Sequence, residues 1–96
     1  MDKTMIGHIL KSELGYSDYE AEVTAQDLCN LQPQLQPALQ EWVSSRKETD
    51  IAVGGFSAFE LMKKKNFTYP ATLIALDWLI VDPQTASADL RSDIKK

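Results

Sequence analysis

The chain contains one cysteine, Cys29, and one histidine, His8, among its 96 residues. A single cysteine excludes an intramolecular disulfide, and two soft ligands are too few for the clusters that hold structural zinc. The pair Gly54-Gly55 has no third glycine and no following Lys-Ser, so it does not make a phosphate-binding loop. We therefore expect neither a metal nor a cofactor.

Long apolar runs are also absent. The longest, within residues 69–81, is interrupted by Thr72 and Asp77 and is shorter than the about 20 residues that cross a bilayer. The first residues carry neither a basic region before a long apolar stretch nor a cleavage signal. Together with the lone cysteine, these features predict a cytoplasmic protein without a membrane span.

The charge balance is acidic, with 14 Asp and Glu against 10 Lys and Arg, which gives a net charge of −4. Binding to nucleic-acid phosphates draws on clustered Lys and Arg, so this balance argues against a nucleic-acid partner. Apolar residues at 44% and charged residues at 25% are ordinary for a folded chain. The length suits one hydrophobic core, and we expect a single globular domain over residues 1–96.

The most apolar segment, residues 69–81, is predicted to be a helix at the centre of the fold. Thr68 can cap this helix, and Pro70 falls in its first turn, where a missing N–H costs little. Apolar side chains continue almost all the way round the helical wheel. Other elements or a partner must therefore cover nearly every side of it.

Shorter amphipathic helices are predicted on both sides of this segment. They cover about residues 4–14, 18–30 and 58–64, with another starting between Pro33 and Pro37 and a last one from Pro83 that carries Ala86, Leu90 and Ile94 on one side. Ser17 with Glu20, and Ser57 with Glu60, have the spacing of a capping box. The fold class is thus all-α, a compact bundle of five or six short helices around the central one.

Residues 50–56 break the helical pattern, because Ile51 and Val53 alternate with small residues and two glycines follow. This pattern predicts a short extended segment or hairpin, and an irregular loop is the alternative. The large apolar residues of the helices should form the core and be among the least exposed, namely Leu39, Trp42, Phe59, Leu73, Leu76, Trp78 and Leu79.

A catalytic Cys–His pair is possible by count alone. However, His8 lies beside the polar Lys11 and Ser12 on its helix, whereas Cys29 adjoins Leu28 in an apolar stripe. Small buried cysteines are common in proteins without catalytic use. We therefore expect that the protein is not an enzyme.

A helix-turn-helix DNA-binding protein that uses residues 58–81 is the alternative function. The layout of helix, short break and second helix fits, and Lys63–Lys65 could contact phosphates. A recognition helix also needs exposed polar side chains for base edges, and the second helix offers Tyr69 and Thr72 before it becomes apolar. DNA binding is therefore the second hypothesis.

Asp77 is the charged residue within the apolar segment. Unpaired burial would cost several kcal/mol, so Asp77 must be at the surface, or paired with a helix N-terminus or a lysine, or protonated. At the surface, its neighbours would form an apolar patch typical of an interface. The predicted interaction face comprises Pro70, Leu73, Ile74, Asp77 and Val81. The sequence thus predicts a small cytoplasmic protein–protein interaction or regulatory module, with a protein partner or self-association.

Overall fold

Hydroxyl side chains cap three helices in the computed structural model, which describes residues 3–91. Ser17 Oγ accepts a hydrogen bond from the backbone N–H of Glu20 at 3.1 Å, and the Glu20 carboxylate accepts from the Ser17 N–H in return. Ser57 caps the N–H of Glu60 at 3.1 Å, and Thr68 caps the N–H of Ala71 at 3.3 Å. The three predicted helix starts are confirmed.

The described residues form six α-helices, a 3-10 turn and a two-stranded hairpin. In chain order they are α1 (Lys3–Leu14), α2 (Asp18–Cys29), the 3-10 turn (Pro33–Leu35), α3 (Gln36–Ser45), β1 (Ala52–Val53), β2 (Phe56–Ser57), α4 (Ala58–Lys65), α5 (Tyr69–Val81) and α6 (Pro83–Arg91). Prolines stand in the first turns of the 3-10 turn, α3 and α5, where their missing N–H is tolerated. The predicted all-α class is confirmed.

The extended segment predicted near residues 50–56 is a small antiparallel hairpin. Ala52 pairs with Ser57, and Val53 pairs with Phe56. The two residues between the strands are Gly54 and Gly55, both with positive φ (57° and 87°). Two-residue hairpin turns favour such values, and glycine adopts them without steric cost.

Helix α5 lies at the centre of the fold and contacts α2, α4, α6 and β1. Leu73 and Leu76 are fully buried within it, and every helix contributes side chains to the same hydrophobic cluster. Thr72 is also fully buried. Its burial is tolerated because its hydroxyl donates to the Thr68 carbonyl at 2.9 Å and so needs no water. The prediction of a central apolar helix is confirmed.

Two residues predicted for the core are exposed. Leu39, Trp42, Leu73, Leu76 and Leu79 are buried as predicted. Trp78, by contrast, is 36% exposed and Phe59 is 47% exposed. The side of α4 that faces the core carries Ala58 and Leu61, both fully buried. Phe59 is one residue away from Ala58, so the predicted inward side of this helix is wrong by one residue.

Helix α6 packs along α5 through the two apolar residues that the sequence places on one side, Ala86 and Leu90. The third residue of that predicted stripe, Ile94, lies outside the described residues. Within residues 3–91, each helix is too short or too polar to cross a bilayer.

Candidate interaction surface

Helices α2 and α5 lie side by side and run in the same direction. Near their first turns, the hydroxyl groups of Tyr16 and Thr68 are hydrogen-bonded at 2.8 Å. Beyond the last turn of α2, the backbone N–H of Gln32 donates to Asp77 Oδ1 at 2.9 Å. The C-terminal ends of both helices therefore lie at the same end of the molecule.

A groove of about 280 Å³ opens between these two C-terminal ends. We call it the α2–α5 groove, and its lining residues are Asp27, Asn30, Leu31, Ile74, Asp77, Trp78 and Val81. Ile74, Trp78 and Val81 follow one another at a spacing of four and three, so they form one apolar stripe along α5. Val81 is 63% exposed, which leaves most of its side chain in contact with water.

Asp77 is half-buried at the edge of this stripe. Its Oδ1 accepts the N–H of Gln32, the residue from which the chain enters the 3-10 turn. Within residues 3–91 its side chain has no other hydrogen bond or ion pair. The carboxylate thus anchors the loop after α2 to α5, and its charge remains at the groove.

The structure divides the five residues of the predicted interaction face. Ile74, Asp77 and Val81 line the groove together. Pro70 and Leu73 are buried, so they contribute no surface. They therefore do not belong to the α2–α5 groove.

Sequence reasoning missed four of the groove residues. The sequence predicts Trp78 in the core, although Trp78 stands next to Asp77 and at helical spacing from Ile74. Asp27, Asn30 and Leu31 come from α2 and the loop after it. No local pattern in the sequence indicates that this loop lies against the end of α5, because the contact joins residues about 45 positions apart.

The groove has a negative electrostatic character. Asp27 and Asp77 are its charged lining residues, and neither forms an ion pair within the described part of the chain. The last turns of α2 and α5 contain no basic residue, although the C-terminal end of a helix dipole favours cations. Helices α1, α4 and α6 do carry Lys or Arg in their last turns.

A second apolar groove, of about 360 Å³, lies beside α4. Phe59, Met62 and Phe67 supply its apolar surface, with Lys63 and Glu48 at its edges. Phe59, Met62 and Lys63 follow at a spacing of three and one, so they project from one side of the helix. We call these three residues the α4 face.

His8 and Cys29 lie in different surroundings, and Tyr69 and Thr72 are buried. His8 is exposed in a groove between α1 and α2 beside Lys11, and Cys29 is half-buried against the core. Tyr69 is buried, and its hydroxyl both donates to the Thr49 carbonyl at 2.8 Å and accepts from the Thr49 N–H at 3.0 Å. Burial raises the pKa of the Tyr69 phenol above its usual value of 10.0. Tyr69 and the buried Thr72 are thus unable to reach the edges of bases.

Among residues 3–91, no group of three or more His, Cys, Asp or Glu side chains is placed to hold a metal ion. Comparison of the chain with protein-family models, with curated proteins and with solved structures finds no match in any of the three. The exposed surface is therefore the basis for assigning a function.

Proposed function

We propose that the protein is a small, non-enzymatic interaction module of the cytoplasm that binds a protein chain through the α2–α5 groove. The observation that carries this proposal is the apolar stripe of the half-buried Ile74 and the exposed Trp78 and Val81, beside an oriented carboxylate. Apolar surface bordered by a few fixed polar groups is typical of protein interfaces, and Trp is enriched among the residues that dominate their affinity.

Asp77 supports the proposal because its position is held by a contact within the protein. Fixing Oδ1 on the Gln32 N–H keeps the carboxylate in one place before a partner arrives. A polar group that is ordered in advance costs less entropy when it binds. The apolar stripe would then supply most of the contact area, and Asp77 would orient the partner.

DNA binding by residues 58–81 is the weaker proposal. Tyr69 and Thr72, the two residues that the sequence offers for base contacts, are buried and hydrogen-bonded to backbone. What remains is the contact of Lys63–Lys65 with phosphates, which would give salt-dependent binding without sequence preference.

The proposed surface is tested most directly with Val81→Lys, because this side chain is 63% exposed and the change should leave the fold intact. Met5→Lys is the matched control, since Met5 is 51% exposed on α1 and lines neither groove. Affinity capture from extract of the cells that make the protein should retain a partner on wild type and on Met5→Lys. Val81→Lys should lose it with an unchanged circular dichroism spectrum. Equal capture by all three proteins would contradict the proposed surface.

A further inference from the structure

The electrostatics of the α2–α5 groove define the chemistry of the segment that fits it. Two carboxylates, Asp27 and Asp77, line it, and the negative dipole ends of two parallel helices point toward it. The nearby Lys3 donates a hydrogen bond to Gln26 on α2, but it lines the groove between α1 and α2 and not the α2–α5 groove. The complementary segment therefore carries apolar side chains together with Lys or Arg.

The chain itself contains a segment with this chemistry. The α4 face presents the 47% exposed Phe59, the half-buried Met62 and the exposed Lys63, with Lys64 next to it. Neither Lys63 nor Lys64 forms an ion pair within residues 3–91. Glu48 lines the groove beside α4, and Asp50 and Glu60 lie at the first turn of α4, so the positive charge is concentrated in the last turn of the helix.

The α4 face is short enough to fit within the groove. From Phe59 to Lys63 it covers about 6 Å at the helical rise, and the stripe from Ile74 to Val81 covers about 10 Å. Anchors three and four residues apart are how a helix fills a groove of this size. Phe59, Met62 and Lys63 have that spacing.

We infer that the occupant of the α2–α5 groove is the α4 face of a second copy of this chain, in a head-to-tail contact. This inference rests on the proposed function and names its partner. Phe59 and Met62 lie against Ile74, Trp78 and Val81, and Lys63 approaches the carboxylates of Asp27 and Asp77.

The α4 face and the α2–α5 groove belong to separate pockets that have no lining residue in common. Phe67, which lines the α4 groove, directly precedes the cap of α5, and Val81 ends that helix. Fourteen residues at the helical rise separate them by about 21 Å. The two grooves are thus separate within one molecule, and each remains open for another copy.

A symmetric dimer through the α2–α5 groove alone would be disfavoured. A twofold contact places the same patch on itself, so Asp27 and Asp77 of both copies would meet with no basic residue lining the groove. Like charges in an interface are repulsive. The head-to-tail contact instead joins opposite charges, and it generates open chains or rings.

The test uses two variants that each remove one surface. Val81→Lys disrupts the groove, and Phe59→Gln removes the apolar anchor of the α4 face; both residues are exposed. Small interfaces bind weakly, so sedimentation velocity should cover concentrations up to about 1 mM at low salt. Wild type and Met5→Lys should form dimers and larger species, while each single variant sediments as a monomer.

A mixture of Val81→Lys and Phe59→Gln distinguishes a head-to-tail contact from other kinds of association. The intact α4 face of Val81→Lys should dock on the intact groove of Phe59→Gln, which gives a one-to-one dimer that cannot extend. Asp27→Asn should weaken wild-type association by about 2- to 5-fold, as expected for an exposed charge pair. Glu22 lies on the same helix as Asp27 but lines the groove between α1 and α2, so Glu22→Gln should leave association unchanged.

Three outcomes would overturn the inference. They are a wild type that remains monomeric at about 1 mM, a mixture that stays monomeric while wild type associates, and association that neither variant affects. A monomeric wild type that still captures another protein, with capture lost in Val81→Lys, would reject self-docking and leave the proposed function standing. Capture that is insensitive to Val81→Lys would reject the proposed function itself.

Discussion

Asp77 has two roles that substitutions can separate: it stabilises the fold through a hydrogen bond, and it places a negative charge in the α2–α5 groove. Its Oδ1 accepts the partly buried N–H of Gln32 at 2.9 Å. Asp77→Ala leaves this N–H without a partner, which should lower the free energy of unfolding by about 1–3 kcal/mol. Asp77→Asn keeps an acceptor oxygen in place, so its loss should stay below about 1 kcal/mol. Both changes remove one negative charge from the groove.

Asp27→Ala is the matched control, because Asp27 lines the same groove but its side chain has no bonded partner within residues 3–91. Its free energy of unfolding should remain within about 0.5 kcal/mol of wild type. Urea denaturation followed by circular dichroism measures stability, and sedimentation measures association. All three variants should weaken association, but Asp77→Ala alone should lose more than about 1 kcal/mol. Equal stabilities for Asp77→Ala and Asp27→Ala would refute the role assigned to this hydrogen bond.

Further predictions concern the fold. Tyr69→Phe leaves the N–H and carbonyl of Thr49 unpaired and should cost about 1–3 kcal/mol in urea denaturation, whereas Tyr19→Phe, 75% exposed, should cost almost nothing. Burial raises the pKa of Tyr69, so its neutral phenol stabilises the fold below pH 10.0 and this stability is lost as pH rises through the folded pKa; the gap between wild type and Tyr69→Phe should shrink above pH 10.0. Leu76→Ala should cost about 2–5 kcal/mol, and a value below about 1 kcal/mol would contradict its place in the core. Ser57→Ala should cost about 1 kcal/mol by thermal denaturation, and no change would contradict the cap.

Local chemistry explains why the helix starts could be predicted from the sequence. A cap is a contact between residues three positions apart, so Ser17, Ser57 and Thr68 act within a single turn. The hairpin turn is local in the same sense, because two adjacent glycines supply the positive φ values that it needs. Neither feature depends on where the other helices pack.

The arrangement of the groove could not be predicted in this way. The contact between Gln32 and Asp77 depends on α2 and α5 running in parallel, which is decided by packing between distant parts of the chain. The predicted inward side of α4 is also wrong, because the sequence favours the larger Phe59, whereas the fold buries Ala58 and Leu61. Small residues allow helices to approach closely, so size alone is a poor guide to burial in a short helix.

Leu73 is predicted at the interaction face and Trp78 in the core, and the structure reverses both. A single difference explains this, because the exposed side of α5 is turned away from the predicted one about the helix axis. Successive residues of a helix are separated by about 100°. If the exposed stripe were centred on Asp77, Leu73 would lie about 40° to one side and Trp78 would lie about 100° to the other. The carboxylate instead reaches sideways to the Gln32 N–H, so Asp77 stands at the edge of the stripe and its centre moves toward Trp78. The same shift carries Leu73 into the core. In α5, the direction from Asp77 to its partner Gln32 therefore indicates on which side of the acid the exposed neighbours lie.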